Sequence, residues 1–259
     1  MWKVLKILGG ALTILALGGG LYINSQRTAI IEKALTSAEE TASKTLGVPV
    51  KIGGVEFNDI NLLDRDKLSD ITVRDVEIFD KKDELIARVE NADVSFKLFA
   101  LTDDPVAALD EIKLDGATVN LKQRDDESWN VNDIKLESEG ESTFGAKISL
   151  TRGTINADFA GKKISLEEIS AEADCADMNA IPAKVSAKTL GANVKASGTV
   201  SKAQQVITAE VDAIAFDKIL PYLPADKIPE GLEILGGSAE NFSVHVLHRD
   251  DTLKYLGST

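Results

Sequence analysis

Few side chains in this sequence have the types and spacing that could do chemistry. His245 and His248 form an H-x-x-H pair, a metal-ligand pattern. The surrounding residues alternate as in a strand, with Phe242, Val244 and Val246 in phase, and a separation of three puts the two imidazoles on opposite faces. Asp64-Arg65-Asp66 opens like a calcium loop, yet Leu68 and Ser69 stand where a ligand and a glycine are needed, so the segment reads as a solvated turn. Cys175, the one cysteine, permits no intrachain disulfide and continues the face of Ala171 and Ala173 as a small core residue. No Ser/His/Asp constellation, cysteine-pair metal site or phosphate-cradling loop is present, and Gly18–Gly20 fall inside an apolar run. The reading is therefore of a non-enzyme that needs no metal or cofactor.

Composition narrows the partners. The chain has 259 residues, 44% apolar, enough to bury a core. Its formal charge is −13, the wrong sign for a nucleic-acid binder and for docking on anionic headgroups. Two of the 29 basic residues and none of the 42 acidic ones lie in the first 23, so the remainder is more acidic still. Aromatics, at 5%, are too few for stacking platforms on bases or sugars.

The elements that would position any site begin with a membrane segment. Ile7–Ile23 carries no charge, and Lys6 can snorkel so that the span reaches back to Val4. Trp2 and Tyr22 fall near its two ends, and Lys3, Lys6 and the amine favour a cytoplasmic N-terminus. A cleaved signal peptide is the rival reading, since Ala16-Leu17-Gly18 is a tolerable cleavage site; the apolar run continuing through Ile23 favours an uncleaved anchor. Either way the bulk of the protein is exported. Next, Ile30, Ile31, Ala34, Leu35, Ala38, Ala42 and Leu46 recur at helical spacing, until Gly47 and Pro49 stop the pattern. Its polar face holds Glu32, Glu39 and Glu40, which suits a helix plugging the end of a sheet better than a lipid-surface helix.

From Val48 the period changes to two. Clean alternations include Ala92-Val94-Phe96-Leu98, Ala146-Ile148-Leu150, Ile155-Ala157-Phe159 and Ala192-Val194-Ala196. Ile71 and Val73 slip phase to Val76 and Ile78, which predicts a bulge near Asp75, and a second slip crosses Asp115-Gly116. Turn clusters such as Asp80–Asp83 and Arg124–Glu127 separate the strands. The pattern is interrupted at 103–109 and at 216–232, where 217–224 reads as a short helix ended by prolines. Each strand has one apolar and one charged face, as in an antiparallel-rich sheet with one wet side. The pattern still running at 253–257 suggests an N-terminal portion of something longer.

The order of parts resembles the start of the AsmA-like superfamily, in particular its TamB-type envelope proteins. The resemblance rests on the anchor, the helix ending in Thr45-Leu46-Gly47-Val48-Pro49-Val50, and Val55-Glu56-Phe57. It continues through Ile71–Ile78, Val89–Phe96, Ile112–Leu121 and the closing Trp129-Asn130-Val131, covering about residues 1–135 best. Glu127-Ser128 replaces the family's usual Asp-Gly before Trp-Asn. The prolines at 217–224 and Pro229-Glu230-Gly231 also resemble later segments.

The resemblance implies a mostly-β, elongated, repetitive groove, taco-like in section, behind a transmembrane helix and a short amphipathic helix. The expected organisation is an anchor at 1–24, a helix at 25–47, an AsmA-like β module at 48–136 and continuing strand repeats at 137–259. The implied location is the inner membrane, single-pass, with the β region in the periplasm. The implied function is carriage of phospholipid between inner and outer membranes along an apolar trough. Candidate wall residues are Val94, Phe96, Leu98, Val119, Leu121, Ile148, Leu150, Ile155 and Phe159. A closed β-sandwich would bury the same residues, so alternation leaves open trough and closed core equally available. The alternative function is a membrane-tethered scaffold that pairs a strand edge with an outer-membrane assembly partner. A β-solenoid acting on carbohydrate fits worse, because aromatics are scarce and no carboxylates converge.

Overall fold

The computed structural model describes residues 27–61, 63–64, 66–100, 107–135, 144–159, 161–177, 179–201, 204–222, 236–249 and 252–258, with side chains described between 35 and 247. The anchor expected at 1–24 lies outside these residues. Among the described residues no helix is long and apolar enough to cross a membrane.

The architecture is one mixed sheet of eleven strands in chain order, elongated and not closed on itself. The strands are β1 (Val50–Asp59), β2 (Ser69–Phe79), β3 (Leu85–Phe96), β4 (Leu109–Lys122), β5 (Lys147–Phe159) and β6 (Lys162–Asp174). They are followed by β7 (Ile181–Thr189), β8 (Ala192–Val200), β9 (Gln204–Ala215), β10 (Ser238–Arg249) and β11 (Thr252–Ser258). Every neighbouring pair is antiparallel except β4 and β5, which are parallel. Eleven strands at about 4.8 Å spacing make a sheet on the order of 48 Å across. The strands are longer than the sequence pattern suggests: Ala146–Leu150 and Ile155–Phe159 alternate as two pieces, yet both belong to β5 and its approach.

The helix α1 (Arg27–Leu46) ends where glycine and proline require. Gly47 takes φ 68° and donates its N–H to the Ser43 carbonyl at 2.8 Å, a left-handed cap open to glycine without steric penalty. Ala38, Ala42 and Leu46 are buried in the main core, so the helix plugs the start of the sheet. Its polar side chains also cover the edge of β1. The Val50 N–H donates to Ser43 Oγ at 2.9 Å and the Ile52 N–H to Glu39 Oε1 at 2.7 Å. Edge amides that would otherwise invite another strand are satisfied internally. In the second half of the chain, α2 (Phe216–Ile219) runs into a 3₁₀ turn at Leu220–Tyr222, where the sequence reads as a short helix.

The bulges predicted near Asp75 and Gly116 belong to a single transverse seam. Gly54 pairs with Arg74, Arg74 with Asn91, Asn91 with Asp115, and Asp115 with Thr151, a straight line across five strands. At this level each strand places two successive residues out of phase, and β6 does the same at Glu167-Glu168. Asp75, Gly116, Arg152 and Glu168 take φ between 49° and 68° to make the insertion. Because these six strands slip together, apolar residues stay on one face on both sides of the seam. The displaced polar side chains stitch it together: Arg88 to Asp75 at 2.6 Å, Arg152 to Glu90 at 2.9 Å, Lys188 to Glu168 at 2.7 Å. Each pair is solvent-exposed, so backbone conformation, more than ion pairing, holds the seam.

This assigns Asp75 a backbone role. Asp75→Gly should change unfolding free energy by less than about 1 kcal/mol, because glycine accepts the left-handed conformation. Asp75→Val should cost about 1–3 kcal/mol at the same position. Chemical denaturation of the two variants compares them directly; equal effects would contradict the assignment.

Candidate functional site

The apolar face is built from cross-strand rows that run without interruption. On β1–β5 one row is Val55, Val73, Ala92, Leu114 and Leu150. It continues in register through Ala171, Val185, Ala196, Ala209 and Val244 on β6–β10. A parallel row one pleat away passes from Ile148 through Ala173, Ala183, Gly198, Ile207 and Val246. At Gly198 a Cβ would collide with the Val206 carbonyl oxygen, so β8 and β9 approach there only because the residue is glycine.

Coverage of this face changes midway. On β2–β4 the first row is buried, with Val73 at 0%, Ala92 at 1% and Leu114 at 3% exposure. Two things lie over it: α1, and the connection from β4 to β5. Parallel neighbours cannot be joined by a tight turn, and the described parts of this connection, 123–135 and 144–146, bring apolar side chains against the core. They contribute Val131, Ile134, Phe144 and Ala146 to the core. From β5 onward each neighbouring pair is antiparallel, and the described start of the β9–β10 connection reaches back to β6, where Tyr222 Oη donates to the Lys163 carbonyl at 2.6 Å. Ala171, Val185, Ala196, Ala209 and Val244 are all half-buried.

A polar latch holds the start of the covering connection. Asp80, fully buried in the β2–β3 turn, accepts the N–H groups of Lys82 and Glu84, both at 2.8 Å. Arg124, just beyond β4, donates to Asp80 at 3.0 Å and to Asp133 at 2.6 Å, joining that turn to the 3₁₀ turn Asn130–Asp133. Buried Asn130 accepts the Lys122 N–H and donates to the Asn120 carbonyl, sealing the end of β4. Trp129 packs against Phe159 with ring centroids 6.3 Å apart. The hydrogen bonds from Arg124 hold the Asp133 carboxyl down to about 2. Burial pushes Asp80 up, but its backbone donors and Arg124 outweigh that and leave it below the ordinary range.

The sequence-derived wall residues divide between the two regions. Val94, Phe96 and Val119 are buried at 1%, 1% and 7%, inside the covered core. Ile148 is buried in a small satellite cluster with Cys175 and Ile181. Leu121, Leu150, Ile155 and Phe159 lie half-buried on β4 and β5, while Leu98 sits in the 3₁₀ turn Leu98–Ala100 and packs against the core. The half-buried residues of β7–β10 are absent from the sequence-derived set. Their signal is a weak alternation of Ala and Val with Lys, Ser and Glu, as in Ala183-Lys184-Val185-Ser186.

The opposite face is polar: Glu172, Lys184, Ser197, Thr208 and His245 form a ladder across β6–β10. Two adjoining depressions there, of about 760 and 400 Å³, share Ser186, Lys195 and Glu210. Their mixed charge and hydroxyls give no patch of one sign. Thr208 Oγ1 lies 3.0 Å from His245 Nδ1, and His248 pairs with Gln205 in the β9–β10 register. Burial and the nearby Asp174 raise the pKa of the Cys175 thiol. Asp64 accepts the Asp66 N–H, closing that turn on itself. Among the described residues no group of three His, Cys, Asp or Glu side chains could hold a metal. What the half-buried stretch of this face can do is hold apolar chains without fixed geometry, at about 0.8 kcal/mol per buried methylene.

Compared with known proteins, the chain matches no family model, no curated protein and no solved structure.

The latch generates an acid prediction. The Asp133 carboxylate has a folded pKa of about 2, against about 3.9 in an unfolded chain. Its stabilisation is complete above about pH 4 and is lost as pH falls toward 2. Arg124→Met should destabilise by about 3 kcal/mol at pH 7, because it leaves Asp80 buried without its cation. The gap between wild type and variant should narrow as pH falls, because the variant's Asp80 and Asp133 take up protons that Arg124 keeps off in the wild type. Thermal melts of both from pH 7 to 2 test this; a gap constant to pH 2 would contradict the assignment.

Proposed function

We propose that this chain is an AsmA-like, TamB-type protein of the cell envelope. In this reading it is anchored in the inner membrane by residues 1–24, and its β region stands in the periplasm as a groove. Phospholipid moves between inner and outer membranes with its acyl chains against the apolar face and its headgroups in water.

The observation that carries the reading is the continuity of the apolar rows from the covered strands onto β6–β10, where the same face is only half-buried. A closed sandwich would require a covering layer over that stretch. A conduit requires an unbroken apolar path with no strongly preferred stopping point, and small residues such as Ala171, Ala196 and Ala209 supply a smooth floor. Burial is non-directional, so a chain can shift along such a surface while losing little at each step. The trough in this proposal comprises β5–β10, and Val94, Phe96 and Val119 support it from the covered core. The tethered-scaffold reading has one observation in its favour: among the described residues β11 pairs only with β10, leaving its other edge available to a strand.

Photo-crosslinking separates the two. Benzophenone side chains placed at Val185 and Ala209 of the membrane-inserted chain should capture phospholipid, and those at Lys184 and Glu210 on the polar face should not. Ala196→Asp should sharply reduce capture at both apolar positions while leaving the circular dichroism spectrum unchanged. Equal capture on both faces, or only protein adducts, would contradict lipid carriage.

A further inference from the structure

We infer that the corner of the sheet that carries Phe57, Leu63 and Phe99 is a bilayer-contact surface, with these three side chains set against the boundary between headgroups and hydrocarbon. This rests on reading residues 1–24 as a membrane anchor.

Five large apolar side chains are exposed among the described residues, and three of them belong to this corner. Leu63, in the β1–β2 connection, is 99% exposed; Phe57 near the end of β1 is 41% and Phe99 beyond β3 is 39% exposed. Register places them at one end of the sheet, because Phe57 pairs with Ile71 and Ser69 with Phe96. Large apolar groups gathered at loop tips mark a contact surface more strongly than any one of them alone.

The path of the chain identifies what they contact. Glu39 meets Ile52 and Ser43 meets Val50, so α1 runs antiparallel to β1. Twelve residues separate Arg27 from Glu39, about 18 Å of helix at 1.5 Å per residue. That length matches five or six strand residues at about 3.3 Å each, bringing the start of α1 level with Phe57 and Asn58. Ile23, the last residue of the uncharged run, is four residues before Arg27 and can be no more than about 14 Å away along the chain. A bilayer that holds Ile7–Ile23 therefore lies beside this corner and far from the β2–β3 turn at the opposite end.

The charge around the corner indicates which lipid surface suits it. The β1–β2 connection carries Asp59, Asp64 and Asp66 beside Arg65 and Lys67, with no basic cluster. Contact is then apolar insertion into a zwitterionic surface, with no polybasic attraction to anionic headgroups.

The test uses the full chain with Cys175→Ser, reconstituted in phosphatidylcholine–phosphatidylethanolamine vesicles. Single cysteines at Leu63, Phe99 and, as a control at the far end of the sheet, Lys82 carry an environment-sensitive fluorophore. At 63 and 99 the emission should shift to the blue, be quenched by lipids spin-labelled near the headgroup, and lose its quenching by aqueous iodide. At 82 the reverse pattern is expected. A chain that resists carbonate extraction but leaves 63 and 99 as open to iodide as 82 would overturn the corner assignment alone. Release of the chain by carbonate would overturn the anchor reading, and this inference with it.

Discussion

A shared register holds this structure together. Apolar residues can occupy one face of an eleven-stranded sheet only if every strand alternates in phase with its neighbours. A single unpaired slip would turn half a strand inside out. Here the first six strands slip together, along the line through Gly54, Arg74, Asn91, Asp115 and Thr151. The left-handed conformations of Asp75, Arg152 and Glu168 are the local cost of keeping the face continuous. Both the buried stretch and the half-buried one depend on that continuity.

Topology then decides where the face is covered. The one parallel pair, β4 and β5, needs a long connection, and its described parts, 123–135 and 144–146, complete the buried core together with α1. Later strands follow one another as antiparallel neighbours and leave the face half-buried. The buried latch of Asp80, Arg124 and Asp133 sits where the covering connection departs, tying it to the β2–β3 turn. Among the described residues one sheet thus carries a fully buried apolar stretch on β2–β4 and a half-buried one on β6–β10.

Much of this was legible in the residues. Helical spacing up to Leu46, stopped by Gly47 and Pro49, locates α1 to within a few residues. The phase slips at Asp75 and Gly116 appear as bulges because each displaces a regular apolar alternation. Strands β7 and β9 were harder to read, since Ala, Ser and Lys alternate with little contrast in hydropathy. The division of the wall residues was beyond sequence. Phe96 and Leu150 alternate alike, and only the crossover and α1, which are tertiary features, bury the first at 1% and leave the second half-buried. The latch was missed for a similar reason: Asp80, Arg124 and Asp133 each look like ordinary turn residues until the fold brings them together.

The proposed conduit requires lipid on the half-buried apolar face of β6–β10. Native mass spectrometry of residues 25–259, purified without detergent and paired with lipid extraction of the same sample, tests it most directly. The expected result is a folded domain with phospholipid bound in stoichiometric amount. A folded domain free of lipid would contradict it.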